Sequence, residues 1–373
     1  MQLELKNLYD DFRDAKTIQA FAKIINADAK KLDKEIHIME VCGGHTHTIM
    51  KYGILQLLPQ NIKFVHGPGC PVCIMPKERI DHAYVLAMQS DVILVTLGDM
   101  IKVPGSKGSL QDARSKGADV RFVYSPLDCL KIASDNPTKK VIFFAIGFET
   151  TTPMTAALLD AVINKNIPNI FFHINHVTVP EAMAALIADD ASNIDAFLGP
   201  AHVSVISGSK IYEEFPRDYK KPVVVSGFEP VDVMQSISMI VKQFVEKRCA
   251  LEVQYKRAVT REGNRKAQTL IDKYFEKAQN FRWRGLGDIP QSGLKLRAEY
   301  DALNAEVMYK EILPTQHIDD HKLCICGDIL RGKATPPQCK IFGTTCKPTS
   351  PIGSCMVSSE GACAAYYKYG NLT

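Results

Sequence analysis

The sequence predicts an α/β protein built from two similar parallel-sheet α/β domains and an irregular, cysteine-rich C-terminal domain. Short apolar runs rich in Val, Ile and Phe alternate with amphipathic stretches, which is typical of parallel strands joined by helices. A strand–Gly-Phe-Glu–helix pattern occurs twice, at 147–149 and at 227–229, and favours two related units. Six of the eleven cysteines lie in the last fifty residues, where Gly and Pro are frequent and periodicity is weak. We therefore expect domains at 1–130, 131–255 and 256–373.

The predicted elements share simple patterns. Strands are short and apolar, and helices repeat their apolar residues at helical spacing. The predicted strands are 36–41, 62–65, 92–96, 120–124, 141–146, 170–174, 194–198 and 223–226. The predicted helical stretches are 1–34, 76–88, 153–164, 179–188, 230–246 and 261–281.

The composition excludes several classes of protein. Net charge is +4 with Lys and acidic residues interspersed, so nothing predicts a nucleic-acid or anionic membrane partner. No apolar run approaches the roughly 18–20 residues that cross a bilayer. The N-terminal stretch 1–12 is acidic and amphipathic, unlike a signal peptide, and we expect a cytoplasmic protein. An odd number of cysteines in a reducing compartment indicates metal binding or redox chemistry rather than structural disulfides.

Reactive residue types follow five of the predicted strands at the point where each strand ends. Ligands of parallel α/β sheets bind beyond the carboxyl ends of the strands, so these side chains are expected to converge on one cleft. The five strand-end segments are Cys42-Gly43-Gly44-His45-Thr46-His47, His66-Gly67-Pro68-Gly69-Cys70-Pro71-Val72-Cys73, Gly147-Phe148-Glu149-Thr150-Thr151, Gly199-Pro200-Ala201-His202 and Gly227-Phe228-Glu229-Pro230.

The Cys70–Cys73 pair has the Cys-x-x-Cys spacing that can close a disulfide or chelate a soft metal. Pro76 suits the first turn of the next helix, so Cys73 is expected just before a helix N-terminus, where the dipole favours a thiolate. The alternatives are half of a zinc site or two inert buried thiols.

Cys42 stands before two glycines, where the backbone can approach a ligand closely. It could be a nucleophile with His45 or His47 as its base, or a metal ligand. A tight turn with hydrogen-bonded core histidines explains the same residues equally well. Glu149 and Glu229 could be acid–base groups, partners of such groups, or carboxylates that cap the following helix.

Four C-terminal cysteines, at 326, 339, 346 and 363, are separated by 12, 6 and 16 residues. Dispersed thiols in an irregular segment favour an iron–sulfur cluster, since a zinc ribbon usually has paired Cys-x-x-Cys knuckles. Zinc remains the alternative. Cys324 and Cys355 are further candidates, whereas Cys129 and Cys249 are expected in the core.

Taken together, the motifs resemble the HypD family of nickel–iron hydrogenase maturation proteins. The matching stretches run through nearly the whole chain. They are MEVCGGHTH (39–47), HGPGCPVC (66–73), GDMIKVPG (98–105), GFETT (147–151), GPAHVS (199–204), GFEP (227–230) and MVSSEGACAA (356–365).

The resemblance implies a redox-active scaffold on which the Fe(CN)2CO moiety of the hydrogenase is assembled with a small HypC-type chaperone, while a HypE-type protein delivers cyanide. It implies iron held by Cys42 together with a cysteine of the partner, and a redox-active pair at Cys70 and Cys73, which are further candidate iron ligands. It also implies that the ligands of a 4Fe-4S cluster are Cys326, Cys339, Cys346 and Cys363. Family motif positions near the cleft would be His45, His47, Glu149, His202, Glu229 and Glu360.

Two other functions fit the residues. An iron–sulfur thiol–disulfide oxidoreductase would use the cluster and the Cys-x-x-Cys pair on a protein disulfide and would need no further iron. A zinc-stabilised interaction protein would be colourless and redox-silent.

Overall fold

A computed structural model describes residues 10–189 and 192–370. Parallel strands form two sheets, of five and four strands, as the alternating pattern predicts. All eight predicted strands are confirmed within one or two residues at each end. The strands are β1 Ile36–Glu40, β2 Ile62–His66, β3 Val92–Leu97, β4 Val120–Val123, β5 Lys140–Gly147, β6 Ile170–His176, β7 Ala196–Pro200, β8 Val223–Ser226, β9 Leu251–Val253, β10 Phe275–Lys277, β11 Asn280–Trp283, β12 Gly287–Pro290 and β13 Leu294–Leu296.

The two sheets share one strand order. The five-stranded sheet runs β2-β1-β7-β8-β9 and the four-stranded sheet runs β4-β3-β5-β6. When the strands of each sheet are counted in chain order, the second strand lies on one side of the first strand and the third strand lies on its other side. The direction of winding therefore reverses beside β1 in one sheet and beside β3 in the other, and these reversal points are where α/β sheets bind ligands.

The predicted domain boundary at residue 130 does not coincide with the passage of the chain from one sheet to the other. The five-stranded sheet combines β1 and β2 with β7, β8 and β9, and the four-stranded sheet is formed entirely by the chain between them. The pairing of β1 with β7 joins Ile38 to Ala196, so a continuous N-terminal unit ending at 130 does not match the sheets. The repeated Gly-Phe-Glu follows β5 and β8, which do not occupy equivalent places in the two sheets.

The helices confirm most of the amphipathic predictions. Of the predicted stretch 1–34, Ala15–Ala29 form a helix, and residues 1–9 lie outside the described part of the chain. The side chain of Asp14 accepts a hydrogen bond from the Thr17 amide at 2.8 Å and caps the first helix. The helices are α1 Ala15–Ala29, α2 Gly43–Lys51, α3 Ile54–Leu57, α4 Lys77–Ala87, α5 Leu110–Ser115, α6 Asp128–Asp135, α7 Thr152–Asn164, α8 Val179–Ile187, α9 Ala201–Ser207, α10 Glu214–Arg217, α11 Pro230–Val245, α12 Arg265–Tyr274, α13 Ala305–Met308, α14 Cys326–Leu330 and α15 Ala362–Tyr369. Within the described residues, none of these helices is long and apolar enough to cross a membrane.

The helix predicted at 261–281 is wrong in its second half. Helix α12 ends at Tyr274, and the chain continues directly into β10 and β11. Phe275 and Phe281 are buried on short antiparallel ribbons, β10 with β13 and β11 with β12. Burial of these aromatic side chains against the sheets overrides the helical spacing.

One hydrophobic core lies between the sheets and includes the cysteine-rich tail. Met39 of β1, Ile142 of β5 and Cys355 of the tail belong to the same buried cluster. Separate apolar clusters cover the outer faces: α1 and α11 pack on the five-stranded sheet, and α7 and α12 on the four-stranded sheet. The tail is therefore held against both sheets by shared apolar burial.

The loops after β1 and β2 pack backbone against backbone. The Gly43 amide donates to the Gly69 carbonyl at 3.3 Å, and a Cβ on Gly69 would lie 2.2 Å from the Cα of Cys42. Only glycine permits this approach, because the obstacle is backbone and cannot rotate away.

We expect Gly69→Ala to destabilise the protein by at least about 2 kcal/mol, because the added methyl group separates the two loops. Urea unfolding measures the loss. Gly98→Ala is the matched control, since a Cβ there meets nothing within 4 Å. Equal stability of the two variants would show that the loops are not in contact.

Candidate metal and thiol centre

Cys42 and His202 meet where the five-stranded sheet reverses its winding. Cys42 follows β1, His202 follows the neighbouring β7, and the Cys42 Sγ lies 3.8 Å from His202 Nε2 and 3.9 Å from Nδ1. Both side chains are largely enclosed by protein. The sulfur and imidazole therefore form a donor pair at the predicted ligand crevice.

The Cys42 thiol keeps its proton. Burial raises its pKa well above the usual value, and the nearby Glu360 and Glu40 carboxyls raise it further. Burial lowers the pKa of His202 to about 4, so this ring is neutral at physiological pH. A cation that binds Cys42 must displace the thiol proton, while the neutral His202 beside it already has a free nitrogen lone pair.

His45 supports this pair from behind. Its ring stacks on Phe228 with centroids 4.6 Å apart, and its Nε2 lies 3.0 Å from the Gly227 carbonyl, to which it donates. Burial lowers the pKa of His45 to about 4. The centroid of the same Phe228 ring lies 4.9 Å from that of His202. His202 is therefore the imidazole next to the Cys42 sulfur, and His45 packs against the other side of the pair through Phe228.

The Cys70–Cys73 turn lies directly beside Cys42, because Gly69 packs on the Cys42 backbone. Both thiols are buried. The expected thiolate at Cys73 is wrong: helix α4 begins only at Lys77, and hydrogen bonds with Cys355 and Cys70, together with burial, raise the pKa of Cys73 well above its usual value. Neighbouring thiols outweigh a helix dipole that starts one turn away.

The four predicted cluster ligands line a single pocket in the tail, which Cys324 also lines. The Sγ atoms of Cys324 and Cys326 are 3.3 Å apart, and the Ile352 amide donates to the Cys346 Sγ at 3.4 Å. The pocket is lined by Cys324, Cys326, Ile329, Cys339, Ile341, Phe342, Cys346, Gly353, Met356 and Cys363. Buried thiols with an apolar shell and amide donors are the environment that an iron–sulfur cluster requires.

Cys355 connects the pocket to the Cys70–Cys73 turn. It is fully buried, and its thiol hydrogen-bonds with those of Cys326 and Cys73. A row of sulfur atoms thus runs from the tail pocket through Cys355 to Cys73 and Cys70. Spacing in the sequence had left Cys355 as a spare candidate, because nothing local shows that it meets Cys73 across 282 positions of chain.

An open cleft faces this row at the reversal point of the four-stranded sheet. Glu360 lies at its rim, exposed on one side, and partial burial raises the pKa of its carboxyl. The cleft is lined by Cys70, Pro71, Val72, Leu97, Asp99, Ile146, Gly147, Thr151, Ser358, Ser359 and Glu360. Both sheets and the tail thus contribute to one opening.

Two of the predicted site residues, His47 and Glu229, contact residues near the ends of the described chain. The His47 ring meets Tyr369 edge-on, with centroids 5.3 Å apart, and Glu229 forms an ion pair with Arg13 at 2.6 Å. They hold the two ends of the described chain against the five-stranded sheet. Cys129 is buried as expected, but Cys249 is exposed, contrary to the prediction.

A buried polar chain beside the site was missed. Glu40, fully buried at the end of β1, accepts a hydrogen bond from the Thr46 hydroxyl at 2.5 Å and pairs with His66 Nδ1. His66 Nε2 lies 3.0 Å from the Tyr366 hydroxyl. The available signal was a carboxylate ending an apolar strand, a placement that requires partners.

Glu149 is a buried acid near the cleft. Its Oε1 accepts from the Val179 amide at 2.9 Å, and within the described chain its Oε2 has no hydrogen-bond partner. Burial raises the pKa of Glu149 to about 7. The group can therefore exchange a proton near neutral pH.

We expect Glu149→Gln to change how stability depends on pH. The folded pKa of about 7 exceeds the ordinary glutamate pKa of 4.5, so wild-type stability falls as pH rises between these values and the loss is complete above them. From about pH 5 to about pH 8, the variant should gain up to about 3 kcal/mol relative to wild type. Urea unfolding at several pH values measures this, with Glu311→Gln at an exposed site as control. Parallel curves for wild type and Glu149→Gln would contradict the assignment.

Comparisons with known proteins agree with these motifs. The family model HypD, described as "Hydrogenase formation hypA family", matches residues 16–370. The chain is 49% identical to hydrogenase maturation factor HypD2 of Bradyrhizobium diazoefficiens, covering 97% of this chain and 96% of that protein. It is 48% identical to hydrogenase maturation factor HypD of Rhizobium leguminosarum bv. viciae (97% and 95% covered) and 44% identical to that of Escherichia coli (96% and 97% covered). The chain belongs to the HypD family of hydrogenase maturation factors.

Proposed function

We propose that this chain is a redox-active scaffold that holds iron at Cys42 while the Fe(CN)2CO moiety of a nickel–iron hydrogenase is assembled. The observation that carries the proposal is the pairing of the buried Cys42 with the partly buried His202 at the sheet reversal point. A soft thiolate is a suitable donor for iron that takes strong-field carbonyl and cyanide ligands. The buried surroundings of Cys42 would keep water away from a bound iron, and further ligand atoms could reach the iron only from the open side of the site.

A HypC-type chaperone would complete this site. Cys42 supplies one thiolate, and further iron ligands must come from outside or from the small molecules themselves. The cleft rim at Ser358–Glu360 lies beside the Cys70–Cys73 turn, and Glu360 packs on Gly43 next to Cys42, so a partner seated there would cover both. A HypE-type protein would deliver cyanide to the same opening.

The tail pocket fits a 4Fe-4S cluster held by Cys326, Cys339, Cys346 and Cys363. Support comes from the donor set: four thiols, apolar neighbours and an amide donor to one sulfur. When bound, such a cluster supplies single electrons at low potential. An external reductant would have to replenish it.

These electrons would tunnel from the cluster to the Cys70–Cys73 disulfide one at a time, across the gap that the Cys355 sulfur fills; the Cys355 thiol is itself fully reduced and takes up no electron. Cys355 contacts Cys326 on one side and Cys73 on the other. Reduction of a Cys70–Cys73 disulfide breaks one S–S bond and takes up two electrons and two protons. The raised pKa of Cys73 favours the protonated dithiol as the product. The pair could then reduce the iron site or supply it with thiol ligands.

The described cysteines are all free thiols, which suits a reducing compartment, and we infer a cytoplasmic protein. A thiol–disulfide oxidoreductase would use the same sulfur row. It would not require the Cys42–His202 pair, which favours the scaffold. About four iron atoms per chain in the partner complex would support the oxidoreductase, and more would support the scaffold.

We expect Cys42→Ala to abolish the cyanide and carbonyl infrared bands of the complex with the partner chaperone, because iron loses its thiolate. Infrared spectroscopy of the anaerobically purified complex is the measurement. Cys249→Ala removes an exposed cysteine and should leave the bands intact. Bands of wild-type intensity in Cys42→Ala would refute the scaffold role of Cys42.

We expect Cys355→Ser to keep the cluster but to slow reduction of the Cys70–Cys73 disulfide by at least about tenfold, because it removes the polarisable sulfur atom between the cluster and the pair and weakens the electronic coupling across that gap. Iron content and EPR report the cluster, and timed alkylation with mass spectrometry reports the free thiols of the pair. Cys249→Ser serves as the control. Reduction at the wild-type rate would exclude Cys355 from the relay.

A further inference from the structure

We propose that His82, His173 and Glu306 form a second metal site, distinct from the cysteine centre, for a divalent transition-metal ion of the zinc class. One potential ligand atom from each residue lies within 4.8 Å of the others. His82 is on α4, His173 on β6 and Glu306 on α13, so a bound ion would join three elements that are far apart in sequence.

The two imidazoles already face each other as ligands would. His82 Nδ1 and His173 Nε2 are 3.0 Å apart. Two nitrogens bound to one zinc ion at about 2.1 Å lie roughly 3–4 Å apart, so the rings need little movement to chelate. Without a metal the two nitrogens share one proton, which an ion would replace.

The outer nitrogens of both rings have the partners that metal-binding histidines use. His82 Nε2 donates to the Pro314 carbonyl at 2.8 Å, which leaves the Nδ1 lone pair facing the site. His173 Nδ1 lies 3.0 Å from the side-chain amide of Asn175. Phe144 stacks on His173 with centroids 4.8 Å apart and fixes the plane of the ring.

Asn175 provides an independent indication. Its Oδ1 is buried and has no hydrogen-bond partner within the described residues. Rotating the amide would let Oδ1 accept from His173 Nδ1 and would free Nε2 for a metal, in exchange for the 3.2 Å bond that Nδ2 makes to the His173 carbonyl. The orphan oxygen is thus explained by the metal-bound arrangement.

The third ligand is an ionised carboxylate. Arg79 forms an ion pair with Glu306, and its positive charge favours the ionised carboxylate. The ion pair uses Oε1 of Glu306, which leaves Oε2 as the oxygen that would bind the metal. The residue is only half-buried on a four-residue helix, so its side chain can turn toward the rings.

Two neutral imidazoles and one carboxylate select zinc-like ions. Oxygen-rich sites suit Mg²⁺ and Ca²⁺, whereas imidazole nitrogen with one carboxylate suits Zn²⁺ or Fe²⁺. Helix α4 begins four residues after Cys73, so an ion here would anchor the helix that carries the Cys70–Cys73 turn to β6.

The test uses the full chain with its tail cluster assembled, titrated with Zn²⁺ under anaerobic conditions. Calorimetry gives the affinity, and zinc-edge X-ray absorption distinguishes nitrogen and oxygen ligands from sulfur. His82→Ala and Glu306→Gln remove one ligand each, and His321→Ala and Glu311→Gln are exposed controls. Circular dichroism confirms that each variant is folded.

We expect wild type and both controls to bind one zinc ion with nitrogen and oxygen ligands. Either site variant should weaken this binding by more than about tenfold. A zinc spectrum with sulfur ligands only, or unchanged affinity in folded His82→Ala and Glu306→Gln, would overturn the proposal.

Discussion

Close backbone contact at a few glycines is the constraint on which the thiol centre depends. A Cβ at Gly69 would overlap the Cys42 backbone, at Gly43 the Glu360 backbone, and at Gly361 the Cys355 backbone. Gly69 and Gly43 join sulfur-bearing segments from distant parts of the chain, and Gly361 folds the tail closely onto Cys355. The loops of the five-stranded sheet and the tail can therefore approach within a distance that side chains would prevent.

Burial then determines the chemistry of the groups brought together. The Cys42 thiol stays protonated, and His45 and His202 stay neutral, because charge is costly in this interior. Hydrogen bonds with Cys355 and Cys70, and burial after them, keep Cys73 protonated. A site with protonated thiols and neutral imidazoles has low affinity for anions and is suited to bind a cation. Metal binding and proton release are coupled, so the protein can hold reactive sulfur without exposing thiolates to oxidation.

Local patterns in the sequence were enough to predict the strands, because apolar runs and helix periodicity are local signals. The cysteines at the ends of β1 and β2 could also be placed, since parallel strands end at one edge. Sheet membership was not accessible, because the pairing of β1 with β7 depends on contacts across about 160 residues. The same applies to Cys355 and to the histidine beside Cys42, whose partners are distant in sequence. Cys73 shows the limit of local electrostatics: its neighbours in space, not the following helix, set its protonation.

The central claim is that the tail thiols hold an iron–sulfur cluster at one end of a sulfur row that leads to the cleft. Anomalous diffraction at the iron edge, from anaerobically grown crystals, tests it most directly. The account predicts four iron peaks among Cys326, Cys339, Cys346 and Cys363, with Cys355 between them and Cys73. A single tetrahedral zinc in that pocket, or iron peaks only at other positions, would contradict it.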